Sequence, residues 1–141
     1  MKRAQFLFAA TVIVVCAALR ASAADIKVIA NPSVGASSVS ADDIKGVFLA
    51  TKTSLSDGSH VEPVLEKGGA AHEAFLKEYI GKTDTALETY YRSLVFTGKA
   101  SMPKTLAADA EVVAYVAKTK GAIGYVSAGA STAGVKTLEV K

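Results

Sequence analysis

Hydrophobic and polar positions follow two periods along this chain, one of about two residues and one of three to four. Residues 26–30, I-K-V-I-A, are a β-branched run that stops at Asn31-Pro32, a turn signal, and predict a short strand. Residues 33–38 are small and polar and predict a flexible surface loop. Ser40-Ala41-Asp42-Asp43 reads as a capping box, with Ile44, Val47 and Phe48 as the buried stripe of the short helix that follows. Gly46 costs such a helix about 1 kcal/mol relative to alanine, which points to a close packing contact there. Asp57-Gly58 marks a turn, and residues 61–65 predict a strand. Pro63 within it argues for a sheet edge or for a strand beginning there.

The most informative stretch is V-L-E-K-G-G-A-A-H-E-A-F-L-K-E-Y over residues 64–79. It predicts a strand ending at Glu66, a turn on Gly68 and Gly69, and a helix opening at Ala70. Ala71, Phe75, Leu76 and Tyr79 then fall three and four apart, the spacing of one buried helical stripe. A glycine turn feeding a helix leaves backbone N–H groups unpaired in the crevice at the strand's carboxyl end, where anions bind in open α/β sheets. Gly68, Gly69, Ala70, Ala71 and His72 are therefore the candidate ligand-binding residues. The same pair of glycines also reads as a tight turn that needs glycine for its backbone angles and binds nothing.

Gly81 ends that helix, and Thr83-Asp84 or Thr85 caps the next, with Leu87, Tyr90, Tyr91, Leu94 and Val95 at helical spacing. Residues 97–103 form a loop. Asp109 is the expected cap of a further helix carrying Val112, Val113, Tyr115 and Val116, with Lys118 and Lys120 suiting its C-terminal dipole and Gly121 as its stop. Residues 122–126, A-I-G-Y-V, predict a buried strand in which Gly124 marks a bulge or a close backbone approach. Residues 135–140 predict a last strand. Strands alternating with helices predict a three-layer α/β/α sandwich, with no repeat and no second domain.

The first residues change the picture of charge and compartment. Lys2 and Arg3, the apolar run over residues 6–19 and Ala21-Ser22-Ala23 have the make-up of a secretory signal peptide, cleaved after Ala23 or Ala24. The expected organisation is a signal over 1–23 and one α/β domain over 24–141, periplasmic and without a membrane anchor once the signal is removed. Cys16, the single cysteine, lies in the signal, so the mature domain is expected to have neither a disulfide nor a cysteine metal site. Lys2, Arg3 and Arg20 account for the whole excess of 16 basic over 13 acidic residues. The remainder is formally neutral and gives no electrostatic reason to expect nucleic acid as a partner.

The chemistry-bearing residues are few. His60 and His72 do not supply the three or four ligands of a metal site. His72, near the predicted helix start, could meet an anion there; otherwise it is an exposed polar residue of the first turn. Lys67 could add a point charge to an anion site, opposed by the adjacent Glu66, or it is simply solvated. Tyr90 and Tyr91 beside Arg92 suggest a stacking patch, although their spacing with Leu87 and Leu94 places at least one in the core. No nucleophile elbow, Walker loop or paired-carboxylate pattern stands in the sequence, so neither an enzyme nor a cofactor is expected.

Three segments nevertheless resemble one family. V-S-A-D-D-I-K-G-V-F-L-A-T-K-T-S from Val39, V-E-P-V-L-E-K-G-G-A-A-H-E-A-F-L from Val61 and K-T-K-G-A-I-G-Y-V from Lys118 resemble, in order and spacing, blocks of the phosphate-type periplasmic binding proteins of ABC transporters. The resemblance implies one lobe of a two-lobed fold and a phosphate or related oxyanion as ligand, with a transporter or another protein as partner. It also exposes departures. The serine and threonine whose hydroxyls hold phosphate in that family correspond here to Gly69 and Ala71, with Ala70 between them. A basic residue of the family corresponds to His72, and a tryptophan to Leu55. The expectation is a phosphate-binding-protein-like module with weakened ligand binding, or else an interaction module that kept the fold and lost the ligand.

Overall fold

The β-branched runs assemble into a single mixed sheet, and the amphipathic helices cover both of its faces. The structure is a computed structural model and describes residues 26–141; the expected signal peptide lies outside the described residues. The elements are β1 (Ile26–Ala30), β2 (Ser38–Val39), α1 (Ala41–Phe48), β3 (Glu62–Glu66), α2 (Ala70–Phe75) continuing as a π-helical turn (Leu76–Ile80), α3 (Asp84–Phe96), β4 (Lys104–Leu106), α4 (Asp109–Lys118), β5 (Ala122–Ser127) and β6 (Lys136–Val140). The strand order is β2-β6-β1-β5-β3-β4. β1 runs antiparallel to both neighbours, with Val28 opposite Tyr125 on β5 and Leu138 on β6. β3 runs parallel to β5 and to β4.

The period-two alternation of the central strands divides the core in two. Leu65 and Tyr125 face Phe48 of α1, Phe75 of α2 and Leu87 and Tyr91 of α3. Val64 and Val126 face the other way, against Val112 and Val116 of α4. The first core is aromatic: Phe75 stacks on Tyr125 with ring centroids 3.9 Å apart, and Phe48 meets Phe75 edge-on at 4.7 Å. The α/β/α sandwich expected from the sequence is the observed architecture, with α4 the one helix on its second face among the described residues.

Several local expectations hold. Ser40 accepts the N–H of Asp43 at 3.0 Å, as a capping serine does. A Cβ on Gly46 would lie 2.8 Å from the Lys52 side chain, which is the close contact its presence implied. A Cβ on Gly124 would lie 3.1 Å from Val112 Cγ1 and 3.5 Å from Val116 Cγ2, so the approach of α4 to β5 depends on that glycine. Gly124→Val adds branches where there is no room, and we expect a loss of about 1–3 kcal/mol in chemical denaturation. A midpoint equal to wild type would mean that α4 can move off the strand without cost.

Other expectations need correction. β2 and β4, two and three residues long, were not visible in the pattern. The loop over residues 33–38 is packed rather than flexible: Val34 is buried, and its carbonyl accepts the Lys136 ammonium at 3.0 Å. Of the two readings of Pro63, the sheet edge fails, since β3 is an interior strand, and the strand beginning there holds, since β3 starts at Glu62; the proline is tolerated because pairing with β4 begins only at Val64. The N-cap of α4 is Ala108, not Asp109. Asp109 is the first helical residue, and its carboxylate accepts the N–H of Ser127 at 3.2 Å.

Candidate functional site

β3, β4 and β5 end together at one edge of the sheet. Lys67 N–H donates to the Leu106 carbonyl at 2.7 Å, the last bond to β4, before the chain turns away through Gly68 and Gly69. Both glycines have positive φ, 88° and 93°, and Gly69 combines its value with ψ 170°. That backbone region is essentially closed to other residues. A Cβ on either glycine would meet nothing within 4 Å, so the glycines serve the turn's angles and not its clearance. Gly69 is the N-cap of α2 and offers no capping side chain. The N–H groups of Ala70, Ala71 and His72 precede the first intrahelical bond and point off the helix end. Gly69 and Ala70 are exposed, Gly68 is half-buried and Ala71 is buried.

α2 opens over one face of the sheet from this edge, and α4 opens over the other after β4. The crossovers thus diverge here, as at the ligand crevices of open α/β sheets. The sequence-predicted residues 68–71 lie at that point, with Gly69 and Ala70 open to solvent.

His72 is placed differently from either reading of its side chain. It is 1% exposed and stacks beside Tyr125, whose hydroxyl hydrogen-bonds its Nδ1. Its Nε2 lies 2.8 Å from Asp84 Oδ1, and because a carboxylate only accepts, Nε2–H donates to it. The Tyr125 hydroxyl also accepts the Glu66 N–H at 3.0 Å. His72 therefore ties α2 to β5 and to the start of α3, and only its backbone N–H faces the glycine turn.

Glu66 is the residue the sequence reading undervalued. It shares its direction with Val64, toward α4, and is 5% exposed; its Oε1 has no hydrogen-bond partner among the described residues. Burial first, and then hydrogen bonding to the adjoining Asp109 carboxyl, raise its pKa to about 8. The same bond holds Asp109 below the usual carboxylate range, helped by the Ser127 hydrogen bond. The two carboxyls thus hold one proton near neutral pH, a carboxylate pair that the sequence spacing did not show. Lys67 is exposed.

The remaining candidates lie elsewhere. The Tyr90 hydroxyl donates to the Leu49 carbonyl at 2.6 Å and the Tyr91 hydroxyl to the Phe48 carbonyl, which fastens α3 to the end of α1 in place of a stacking patch. Leu55 is buried, and His60 bridges Ser54 away from the glycine turn. No group of three or more His, Cys, Asp or Glu suited to a metal occurs among the described residues. No helix among them is long and apolar enough to cross a membrane.

No protein-family model matches the chain, and no curated protein matches it in sequence. Its fold does match solved structures. An ABC-type phosphate transport receptor from Vibrio cholerae superposes with TM-score 0.62 at 13% identity, over 82% of this chain and 46% of its own. PstS from Borrelia burgdorferi gives 0.63 at 12% identity, over 83% and 47%. A protein assigned as a phosphate ABC transporter substrate-binding protein, from Clostridium perfringens and with phosphate bound, gives 0.63 at 16%, over 82% and 44%. The fold is that of the phosphate-type substrate-binding proteins. The chain spans less than half the length of each of these three structures, as one lobe would.

Proposed function

We propose that this chain is an exported, non-enzymatic binding module of the periplasm that takes phosphate or a related oxyanion weakly, in association with ABC-type uptake. The supporting observation is the row of free N–H groups at residues 70–72, presented by the glycine turn at the divergence of α2 and α4, in a fold whose solved examples include one with phosphate bound. Residues 68–72 would hold the anion through their backbone alone, because the hydroxyls expected from the family stand here as Gly69 and Ala71. Each lost hydrogen bond to a charged group is worth about 1.5–3 kcal/mol, so two lost bonds weaken binding by roughly two to four orders of magnitude. An open turn also lacks the burial that strengthens such bonds.

The backbone of Gly69 adds a second reason. At φ 93° and ψ 170° a serine would be strained by about 1–3 kcal/mol, so restoring a hydroxyl at position 69 offsets what its hydrogen bond would contribute. Calorimetric titration with phosphate and sulfate should show millimolar or weaker binding, and Gly69→Ser should not tighten it. Sub-micromolar binding by the unmodified monomer, or strong tightening in Gly69→Ser, would overturn this account of the turn.

A second reading, an interaction module that kept the fold and lost the ligand, is favoured by one observation: Phe96 at the end of α3 is 92% exposed.

A further inference from the structure

The end of the sheet opposite the glycine turn carries a second surface. A groove of about 760 Å³ opens between the beginning of β3 and the loop that joins α3 to β4. Buried side chains reach its walls, among them Val47, Val64 and Tyr91, and its outer lining includes Lys99, Met102 and Lys104. The large apolar residues left exposed among the described residues are Val95, Phe96 and Met102, at 43%, 92% and 52%. All three fall within residues 95–102; Met102 lines the groove itself, and Val95 and Phe96 end α3 just before the lining begins at Lys99. Concentration at one place, instead of scatter over the surface, is the mark of a contact site.

The charges at the groove have one predominant sign. Lys99 and Lys104 form no ion pair among the described residues, and the Lys104 ammonium rests 5.7 Å over the Tyr115 ring. Lys52, also in the lining, is neutralised by Asp43 at 2.8 Å. The acid in the lining is Glu62. Among the described residues β4 ends the sheet, and its outer edge, with no neighbouring strand there, can accept an extended segment.

We infer that this groove docks an extended, acidic segment of a partner protein, whose carboxylates meet Lys99 and Lys104 while an aromatic or branched side chain packs on Phe96 and Met102. A second copy of the chain fits less well, because a two-fold contact through this patch would bring together two surfaces that each offer Lys99 and Lys104 but a single acid, Glu62. A small anion held in the groove would leave Val95 and Phe96 in water. The inference does not depend on whether the glycine turn holds an anion.

Selection of random short peptides, displayed on phage, against the exported protein tests this. Enriched peptides should combine Asp or Glu with aromatic or branched residues. They should bind Phe96→Ala at least about tenfold more weakly. The double variant Lys99→Glu/Lys104→Glu should reverse the selection toward basic peptides. Both substituted regions are exposed, so an unchanged thermal melt serves as the fold control. Enrichment without acidic bias, binding indifferent to both variants, or failure to enrich any sequence would overturn the proposal. So would self-association that is abolished by Phe96→Ala and leaves no peptide binding.

Discussion

Glu66→Gln is expected to stabilise the protein at about pH 9 and to leave it nearly unchanged at about pH 5. The Glu66 carboxyl has a folded pKa of about 8 against an ordinary 4.5, because it is buried and shares a proton with Asp109. The native state therefore holds an extra proton between those values. The stabilisation that goes with it is complete below the lower value and is lost as pH rises through the upper one. At about 1.4 kcal/mol per unit the full shift corresponds to roughly 5 kcal/mol. Relaxation and nearby solvent at the sheet's edge reduce this to on the order of 2–3 kcal/mol. Glutamine keeps the shape and a donor for Asp109 but has no charge to bury, so wild type should lose several degrees of melting temperature between the two pH values and the variant should not. Asp109, with its lowered pKa, acts in the opposite direction and only on the acid side, where its contribution is lost as pH falls. Parallel pH profiles for wild type and variant would show that Glu66 ionises without strain.

His72→Ala is expected to cost about 3–5 kcal/mol, a large share of the 5–15 kcal/mol that holds a domain of this kind together. The ring fills a fully buried position, and its removal leaves a cavity beside Tyr125 and takes away partners of the Tyr125 hydroxyl and of Asp84. Urea denaturation measures this directly. An exposed histidine of a first helical turn would change stability by no more than about 0.5 kcal/mol, so the two placements of His72 give clearly separate outcomes.

The parts of the fold that were legible are those set by neighbours in the chain. Ser40 with Asp43, the glycines before Ala70, Gly81 and Thr83 announce their turns and caps within a few residues, and the structure places those boundaries there. β2 and β4 were not legible because such short polar segments become strands only when β6 and β3 offer their edges. His72 could have been placed inward: it precedes Phe75 by three residues and Leu76 by four, and so belongs to their stripe. Glu66 could have been assigned to the α4 side by its alternation with Val64. Their partners Tyr125, Asp84 and Asp109 come from elements distant in sequence, and no local pattern names them. The candidate turn was found by its glycines, but the angles that exclude serine from position 69 required the backbone itself.

The binding proposed for residues 68–72 is of an oxyanion, through backbone N–H groups alone, and weak. Amide ¹H–¹⁵N spectra recorded during a phosphate titration test its place and its strength together. Shifts should concentrate on Gly69, Ala70, Ala71 and His72 and saturate in the millimolar range. Shifts centred elsewhere, saturation below the micromolar range, or no response of these four amides at tens of millimolar phosphate would contradict it.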